Sequence, residues 1–454
     1  MGNDNTVMLE QPVELKRVLK LPTLVCQGLA YLCPASVLFY FGIVNDMTGG
    51  NFPLVLIITT FAMLLSALSY AKMSKRYPVA GSVYSYVSKA INPKLGFIAG
   101  WTIMLDYFLL PMTCYLSCGL YLNVALPLVP IWVWIFVTVI FVTFCNYRGV
   151  EVAAFMNNIN TIFPIVVVIV TLVFIIRFVI GGGGTGTLLY AEGFYNPDTI
   201  KNPAIFSAAA MMAIVFVGFD SVTTYSEETI NPEKMIGRAV VIICLGAGIG
   251  FIIVAYIMNC GWPTAVREMA NPNTAIIEYY AYIGVDWMNS VFIVLNTLAC
   301  IGCCIAGQAA TTRILLGMGR DGFFSKKFFG YIHPKYQTPS KNILLTSAVG
   351  LTAVIFQDNL AEAISLVSFG ALAGFIFTNV TVIFQYYIKE HQRNLKGIIT
   401  FLIMPIIGTI VCVYLWFSLT IQAKIVGFSW LALGIIFLTI KTKGFKELPP
   451  ELEL

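Results

Sequence analysis

Apolar runs long enough to cross a membrane dominate the hydrophobic pattern of this chain, and short polar stretches separate them from one end to the other. A helix needs roughly 20 apolar residues to span the hydrocarbon core of a bilayer. The pattern therefore predicts twelve spans, at residues 22–44, 52–73, 95–125, 131–146, 159–180, 204–226, 239–262, 287–318, 343–356, 362–387, 398–421 and 427–440.

The composition narrows the class of protein further. Of the 454 residues, 58% are hydrophobic and only 11% are charged, whereas about a quarter of a soluble domain is charged. A soluble enzyme is excluded, and the 14% of aromatic residues excludes a disordered chain. We expect an all-α polytopic membrane protein that is a transporter and not an enzyme.

The positive charges indicate an orientation. With an even number of spans both termini lie on one side, and all but four of the 27 Lys and Arg residues fall on that side, the exceptions being Arg177, Lys201, Arg267 and Lys424. The positive-inside rule then places both termini in the cytoplasm. We expect the protein to lie in the plasma membrane. Since membrane sidedness accounts for the net charge of +5, no nucleic-acid partner is expected.

Two candidate cofactor or metal motifs fail on context. Eleven cysteines lie almost entirely within apolar runs, which favours packing over a disulfide framework or a metal site. No Walker A lysine follows the glycines at 181–184, so the chain carries no signature of an ATP-driven pump. We expect no cofactor, and transport driven by an ion gradient or by exchange.

Helix-breaking residues occur within two of the spans. Pro34 lies in the first span and removes a backbone donor there. Gly218 weakens the sixth span, and the ionisable Asp220 follows it. Interrupted helices at matching places in two halves indicate an inverted-repeat transporter with its substrate site near the midplane, although a kinked packing helix is the alternative for each.

This symmetry divides the chain into four segments. Residues 1–21 form an N-terminal cytoplasmic tail, and residues 22–180 form the first repeat with spans 1 to 5. Residues 181–389 form the second repeat with spans 6 to 10. Residues 390–454 hold the last two spans and a short cytoplasmic tail.

Two mid-membrane carboxylates are the principal candidates for binding an amine. A charged acid at the bilayer centre costs about 2.5–3.5 kcal/mol on insertion scales, so Asp106 and Asp220 need a function or a partner. The alternative is a protonated acid bonded to a neighbouring helix. Four aromatic residues near the breaks are candidates for cation–π contacts, with simple packing as their alternative: Tyr31, Tyr107, Phe216 and Phe219.

The first break favours an amine without a carboxylate group. An amino acid carboxylate is usually held by free N–H groups at such a break, and Pro34 donates none. Ala35 and Ser36 still carry N–H groups, so an amino acid remains the alternative cargo.

Carboxylates are also the candidates for proton coupling, since both histidines fall in cytoplasmic segments. Asp220 is the first choice, and Glu227 or Glu228 at the inner end of the sixth span is the second. Those two glutamates could instead pair with cytoplasmic Arg or Lys as an inner gate. A sodium site built from carbonyls and the hydroxyls of Thr297 or Ser36 stays open as another means of coupling.

The chain resembles the amino acid-polyamine-organocation superfamily, and within it the bacterial putrescine importers. The resemblance runs nearly end to end. It rests on Gly28-Leu29-Ala30-Tyr31 with Pro34, Ala80-Gly81-Ser82, Leu105-Asp106-Tyr107, Gly218-Phe219-Asp220 with Ser226-Glu227-Glu228-Thr229, Met318-Gly319-Arg320-Asp321 and Phe369-Gly370-Ala371-Leu372.

This resemblance implies the leucine-transporter fold, with two inverted five-helix repeats, discontinuous helices 1 and 6, and two peripheral helices. It implies a substrate site between helices 1, 3, 6, 8 and 10, and it places Tyr107 where a tyrosine matters for putrescine uptake. Phe39 stands where those importers carry an aspartate. We expect a proton-coupled symporter that imports putrescine or a related small organic cation by alternating access, with an amino acid permease as the alternative.

Overall fold

Helices and loops make up the computed structural model, which describes residues 17, 19–78, 82–148, 153–320, 324–336 and 338–447. Within these residues, ten helices are long and apolar enough to cross a membrane. An interrupted helix at the N-terminal end and the shorter apolar helix Ser340–Phe356 add two more crossings. The prediction of an all-α polytopic membrane protein with about twelve spans is confirmed.

Seventeen α-helices follow one another along the described chain. Their bounds are α1 Leu21–Leu32, α2 Ser36–Thr48, α3 Phe52–Arg76, α4 Ser82–Ala90, α5 Pro93–Ala125, α6 Ile131–Arg148, α7 Ala153–Ile180, α8 Ala204–Met211, α9 Pro232–Gly261, α10 Ala265–Glu268, α11 Ala275–Tyr282, α12 Trp287–Arg320, α13 Ser340–Leu351, α14 Leu360–Val382, α15 Leu395–Ile398, α16 Met404–Ser418 and α17 Ile421–Lys441. Shorter 3₁₀ or π segments extend several of them, at Met212–Phe216, Ser221–Glu228, Thr352–Phe356, Ile383–Lys389 and Ile399–Ile403.

The first span is interrupted between α1 and α2, as predicted. Cys33 leaves the helix with a φ of +49°, and Pro34 follows it without an N–H to donate. The helix resumes at Ser36, whose N–H donates to the carbonyl of Cys33 over 2.8 Å. The polypeptide is thus non-helical for three residues within the first span.

The sixth span is interrupted at the predicted glycine. The 3₁₀ segment after α8 ends at Phe216, and Gly218 adopts a φ of +129° before a second 3₁₀ segment begins at Ser221. Side chains rarely tolerate such a φ, and glycine has no Cβ to oppose it. The prediction that helices 1 and 6 are discontinuous is confirmed.

The spans pack tightly where small residues allow backbones to approach each other. A β-carbon added at Gly248 of α9 would collide with Thr60 of α3. One added at Gly370 of α14 would lie 2.9 Å from the backbone nitrogen of Asp106 in α5. Close approach at small residues is the usual means of helix association in lipid, and here it fixes α5 directly beside α14.

A proline within α5 changes the hydrogen bonding next to the candidate site. Pro111 cannot donate to the carbonyl of Tyr107, one helical turn earlier. The hydroxyl of Thr311 in α12 donates to that carbonyl instead, over 2.9 Å, and shares its hydrogen with the carbonyl of Gly307 in its own helix, 2.8 Å away. The proline therefore replaces an intrahelical hydrogen bond by one that joins α5 to α12.

The last helix is held to the core by two tryptophans. Trp101 of α5 and Trp430 of α17 stack with ring centroids 4.7 Å apart, and each indole N–H donates to the carbonyl of the other residue. Large apolar side chains such as Ile410, Leu433 and Ile436 remain exposed on α16 and α17. These two helices therefore lie at the periphery and face lipid.

Short helices between the spans were not predicted from the sequence. They are α4 before α5, and α10 and α11 between α9 and α12. The N-terminal tail predicted for residues 1–21 falls almost entirely outside the described residues.

Candidate substrate site

The two helix breaks face each other. A β-carbon added at Gly218 would lie 2.7 Å from Cδ1 of Tyr31 and 3.3 Å from the backbone nitrogen of Leu32. Such a distance is well below van der Waals contact, so only glycine allows the sixth span to approach the end of α1 this closely. The contact brings the two non-helical segments to one place in the fold.

Asp220 stabilises the break in the sixth span. Its Oδ1 accepts a hydrogen bond from the N–H of Gly218 over 3.2 Å, and its carbonyl accepts from the N–H and the hydroxyl of Thr223. The hydroxyl of Ser221 donates to the carbonyl of Gly218 over 2.7 Å. These bonds replace helical ones that the break removes, and the carboxylate of Asp220 is only partly buried.

Asp106 is more deeply buried than Asp220, and its side chain has fewer hydrogen bonds. It is 7% exposed, and its Oδ1 has no hydrogen-bond partner in the described structure. It lies near enough to Asp220 for the two carboxylates to interact electrostatically. The ion pairs of the described residues are Arg76 with Glu390 and Lys443 with Glu447, so neither mid-membrane acid has a basic partner among them. A buried carboxylate in this state needs a proton or a cation to neutralise it.

Two tyrosines complete this cluster. Tyr31 contacts Gly218 and lies within electrostatic range of Tyr107, Asp106 and Asp220. Tyr107 is partly exposed, and its backbone is fixed by the hydrogen bond from Thr311. The structure thus brings together Tyr31, Asp106, Tyr107 and Asp220, which we call the acid–tyrosine cluster.

Phe216 and Phe219 lie outside this cluster and are fully buried. The ring of Phe219 stacks on that of Phe375 with centroids 5.2 Å apart and meets Tyr70 edge-on at 5.7 Å. The ring of Phe216 meets Phe251 at 5.8 Å. Both rings are engaged in aromatic packing between helices, which is the alternative role that the sequence left open for them.

A cavity of about 160 Å³ lies beside the first break. We call it the central cavity, and of the predicted site residues Tyr31 forms part of its wall. None of the described residues that line it is charged. They are Tyr31, Leu32, Cys33, Ser36, Phe39, Tyr40, Leu110, Thr113, Cys114, Ser117, Tyr121, Ile214, Val215, Val217, Asn273, Asn296, Ala299, Cys300, Gly302, Cys303, Ala306, Leu360 and Ile364. Neutral polar groups, aromatic rings and aliphatic side chains therefore surround the space, and the acid–tyrosine cluster adjoins it through Tyr31.

The sequence did not predict Asn296 as a residue of this wall, and it indicated Ser36 only as a candidate for a sodium site or a free N–H. Asn296 of α12 accepts hydrogen bonds at Oδ1 from the hydroxyl of Ser117 over 3.2 Å and from the thiol of Cys300 over 3.5 Å. The hydroxyl of Ser36 is buried in the wall without a hydrogen-bond partner among the described residues. An asparagine within an apolar span was the available signal for Asn296, since polar groups at that depth are costly.

Phe39 forms an aromatic corner of the cavity. Its ring lies 4.8 Å from that of Phe292 and 6.0 Å from that of Tyr121. The residue that stands where the resembling importers carry an aspartate therefore does line the central cavity. It presents an aromatic side chain there and not a charge.

The start of the first span and the end of the sixth span are also connected. The N–H of Leu19, just before α1, donates to the carbonyl of Glu228 over 2.9 Å, and the N–H of Ile230 donates to the carbonyl of Leu19 over 3.0 Å. The side chain of Glu228 is half-buried, and that of Glu227 lies outside the described residues. Backbone pairing thus joins the start of the first span to the end of the sixth.

Comparison with known proteins supports a single family. The model of the family described as "Amino acid permease" matches residues 23–442. The chain is 35% identical to the low-affinity putrescine importer PlaP of Escherichia coli strain K12, covering 97% of both proteins. It is 25% identical to the branched-chain amino acid permease BcaP of Bacillus subtilis strain 168, covering 96% of this chain and 95% of that one.

A solved structure shows the same fold at low sequence identity. The crystal structure of MhsT in complex with L-phenylalanine superposes with a TM-score of 0.62 at 12% identity, covering 89% of this chain and all of that one. The expected leucine-transporter fold is confirmed by this similarity.

Proposed function

Because the chain belongs to the amino acid permease family, we propose that it is a secondary transporter that imports putrescine or a related small amine across the plasma membrane. A relative that is 35% identical over nearly the whole chain is a putrescine importer by name. In this proposal the chain has no enzymatic activity, and both of its termini lie in the cytoplasm.

The observation that carries the proposal is the buried carboxylate of Asp106, whose Oδ1 has no hydrogen-bond partner among the described residues, together with nearby Asp220 and the two facing breaks. Two carboxylates that interact in a low-dielectric site repel each other unless a positive charge intervenes. An ammonium group of the cargo supplies that charge. The rings of Tyr31 and Tyr107 beside the acids can contribute cation–π attraction, worth up to about 2 kcal/mol in a desolvated site.

The central cavity would receive the rest of the cargo. A diamine placed with one ammonium at the acid–tyrosine cluster extends its methylene chain along the aromatic and aliphatic wall. The second ammonium then meets neutral oxygens such as those of Asn296, Ser117 and Thr113. Neutral oxygens hold an ammonium less tightly than a carboxylate does, so this arrangement favours weak binding of the distal group.

Movement of the cargo would follow from the two breaks. Non-helical segments at the midplane allow the outer and inner parts of spans 1 and 6 to move relative to one another around a fixed site. The backbone pairing of Leu19 with residues 228–230 closes the inner side in this conformation. Asn273, in the segment between α10 and α11, is also part of the wall of the central cavity. In the proposed orientation this segment lies on the outer side of the membrane.

A proton gradient would supply the energy. While the site faces outside, one of the two interacting acids can take up a proton, and the other, left as a carboxylate, binds the ammonium; both the proton and the cargo are then released inside, so they cross in the same direction. This symport couples the proton to the ammonium at the acid–tyrosine cluster, with Asp220 and Asp106 as the groups involved and Glu228 at the inner end of the path.

The experiment is uptake of labelled putrescine into proteoliposomes that hold the full chain. Uptake that exceeds that of empty liposomes and rises under an inside-alkaline pH gradient supports the proposal. A sodium gradient imposed instead of the pH gradient distinguishes the coupling ion. Absence of putrescine uptake under either gradient, with protein shown to be folded and inserted, would refute it.

Transport of an amino acid is the second candidate, and the cavity wall supplies a specific reason for it. The unpartnered hydroxyl of Ser36 stands at the N-terminus of α2, which is 13 residues long, and such a place suits a carboxylate. A relative of 25% identity is a branched-chain amino acid permease by name. Competition separates the two: leucine or phenylalanine in excess abolishes labelled putrescine uptake only if the site accepts amino acids.

A further inference from the structure

A second cavity lies between α1, α7 and α9, away from the acid–tyrosine cluster. Its volume is about 360 Å³, and we call it the apolar cavity. The described residues that line it are Val25, Leu29, Leu32 and Pro34 from the first span, Ile165 and Val168 from α7, and Ile242, Ile243, Gly246, Ala247, Gly250, Phe251 and Val254 from α9. Each of these side chains is apolar.

This lining selects a hydrocarbon occupant. A buried water needs two to four polar partners, and these side chains offer none. An apolar cavity of about 150 Å³ in a soluble protein already binds benzene, so a space of this size in a lipid-solvated protein suits an alkyl chain.

The cavity opens toward the bilayer. Ile242, which forms part of its wall, is 48% exposed. Close in sequence to the wall residues of α7 and α9, the exposed side chains are aliphatic, with Ile162 and Val166 on α7 and Ile249 on α9. The wall of the cavity is therefore continuous with the lipid-facing surface, where phospholipid acyl chains are the medium in contact with the protein.

Two glycines keep the cavity open. A β-carbon added at Gly246 or at Gly250 of α9 would meet no atom within 4 Å. Other glycines in the same helix, such as Gly237 and Gly248, are instead in contact with α3. Empty space at Gly246 and Gly250 means that packing of α9 against its neighbours does not require glycine there.

The apolar cavity adjoins the first helix break. Leu32, the last residue of α1, lines both this cavity and the central cavity, and Pro34 of the break lines the apolar cavity. We propose that a phospholipid acyl chain inserts into the apolar cavity and holds α1 against α7 and α9, so that bilayer lipid stabilises this conformation of the break. The proposal is independent of the identity of the cargo.

The test uses a phospholipid with a photoactivatable diazirine in its acyl chain, incorporated into proteoliposomes of the full-length chain. Irradiation and peptide mass spectrometry then locate the labelled residues. We expect labelling of cavity-lining residues of α1, which lie behind α7 and α9. Gly246→Leu and Gly250→Leu fill the cavity and should abolish this labelling. Ala432→Leu adds comparable bulk, three carbon atoms, on the exposed face of α17 and should leave the labelling unchanged.

The proposal would be overturned if α1 is not labelled in the wild type, or if its labelling is undiminished in both leucine variants. Should a leucine variant fail to fold, the Gly246→Ala/Gly250→Ala double variant narrows the same space with less bulk. A second measurement needs no photochemistry. Addition of phospholipid should raise the melting temperature of delipidated wild-type protein, and it should raise that of the Gly246→Leu and Gly250→Leu variants by less. Neither readout requires putrescine transport. A failure of the lipid proposal can therefore be told apart from a failure of the proposed transport function.

Discussion

Gly218 and Tyr31 are in contact across the two helix breaks, with so little space that a β-carbon on Gly218 would stand 2.7 Å from Cδ1 of the tyrosine ring. One residue lies in the sixth span and the other in the first. The contact couples the two interrupted helices at the level of the acid–tyrosine cluster. A change in either break must therefore displace the other.

Replacing Gly218 tests this coupling. Gly218→Ala adds a β-carbon that clashes with Tyr31, and it forces a side chain into a φ of +129°. Such backbone strain alone costs about 1–3 kcal/mol. We expect a lower melting temperature and loss of uptake in proteoliposomes. Gly182→Ala is the control, because Gly182 has a φ of +91° but no atom within 4 Å of an added β-carbon. Equal activity in the two variants would contradict the coupling.

The hydroxyl of Thr311 should stabilise α5 at Pro111. Thr311→Val leaves the carbonyl of Tyr107 without its hydrogen bond, and an unsatisfied buried carbonyl costs about 1–3 kcal/mol. We expect a fall in melting temperature, measured on purified protein in detergent. In Thr312→Val, the matched control, the hydroxyl lost is one that donates only within its own helix, to Ala309. An equal fall in melting temperature in both variants would show that the hydrogen bond between α5 and α12 does not add to the stability of the protein.

Chemical modification of the cysteines in the central cavity should show whether cargo occupies it. Cys33, Cys114 and Cys303 are partly exposed and line the cavity, whereas Cys26 is exposed but is not part of the wall. Alkylation by a small maleimide should block uptake, because the adduct fills the cavity. Putrescine in excess should slow the inactivation.

The assignment to these thiols has its own control. A Cys33→Ser/Cys114→Ser/Cys303→Ser variant should resist the maleimide, and Cys26→Ser should remain as sensitive as the wild type. Inactivation of the triple variant at the wild-type rate would place the sensitive thiol elsewhere.

The spans and the breaks were predictable because lipid imposes a simple rule on the sequence. Each crossing needs a long apolar run, and a proline or glycine within such a run disrupts its helix. Pro34 and Gly218 were therefore visible in the sequence, and the structure places the breaks at Cys33–Ala35 and around Gly218. The short helices α4, α10 and α11 lack such a signal, since they are too short to be spans.

The site was only partly predictable because contacts between distant helices carry no periodic signal. Asp106 and Asp220 were conspicuous as acids in apolar runs. Phe216 and Phe219 lie next to a helix break in the sequence, as Tyr31 does, and their packing against Phe251 and Phe375 became apparent only in the structure. In the same way, Cys114 and Cys303 looked like packing residues until α5 and α12 were placed side by side.

The most direct test of the account measures labelled putrescine uptake by Asp106→Asn and Asp220→Asn beside the wild type, in proteoliposomes with the same imposed pH gradient. Each variant keeps the shape of the side chain and removes its negative charge. We expect both proteins to fold, since neither acid has an ion-pair partner among the described residues and an asparagine at position 220 keeps an oxygen that can accept from the N–H of Gly218. We expect uptake to fall by at least about tenfold, which corresponds to 1.4 kcal/mol. Wild-type uptake in both variants would contradict the claim that these acids bind the positive charge of the cargo.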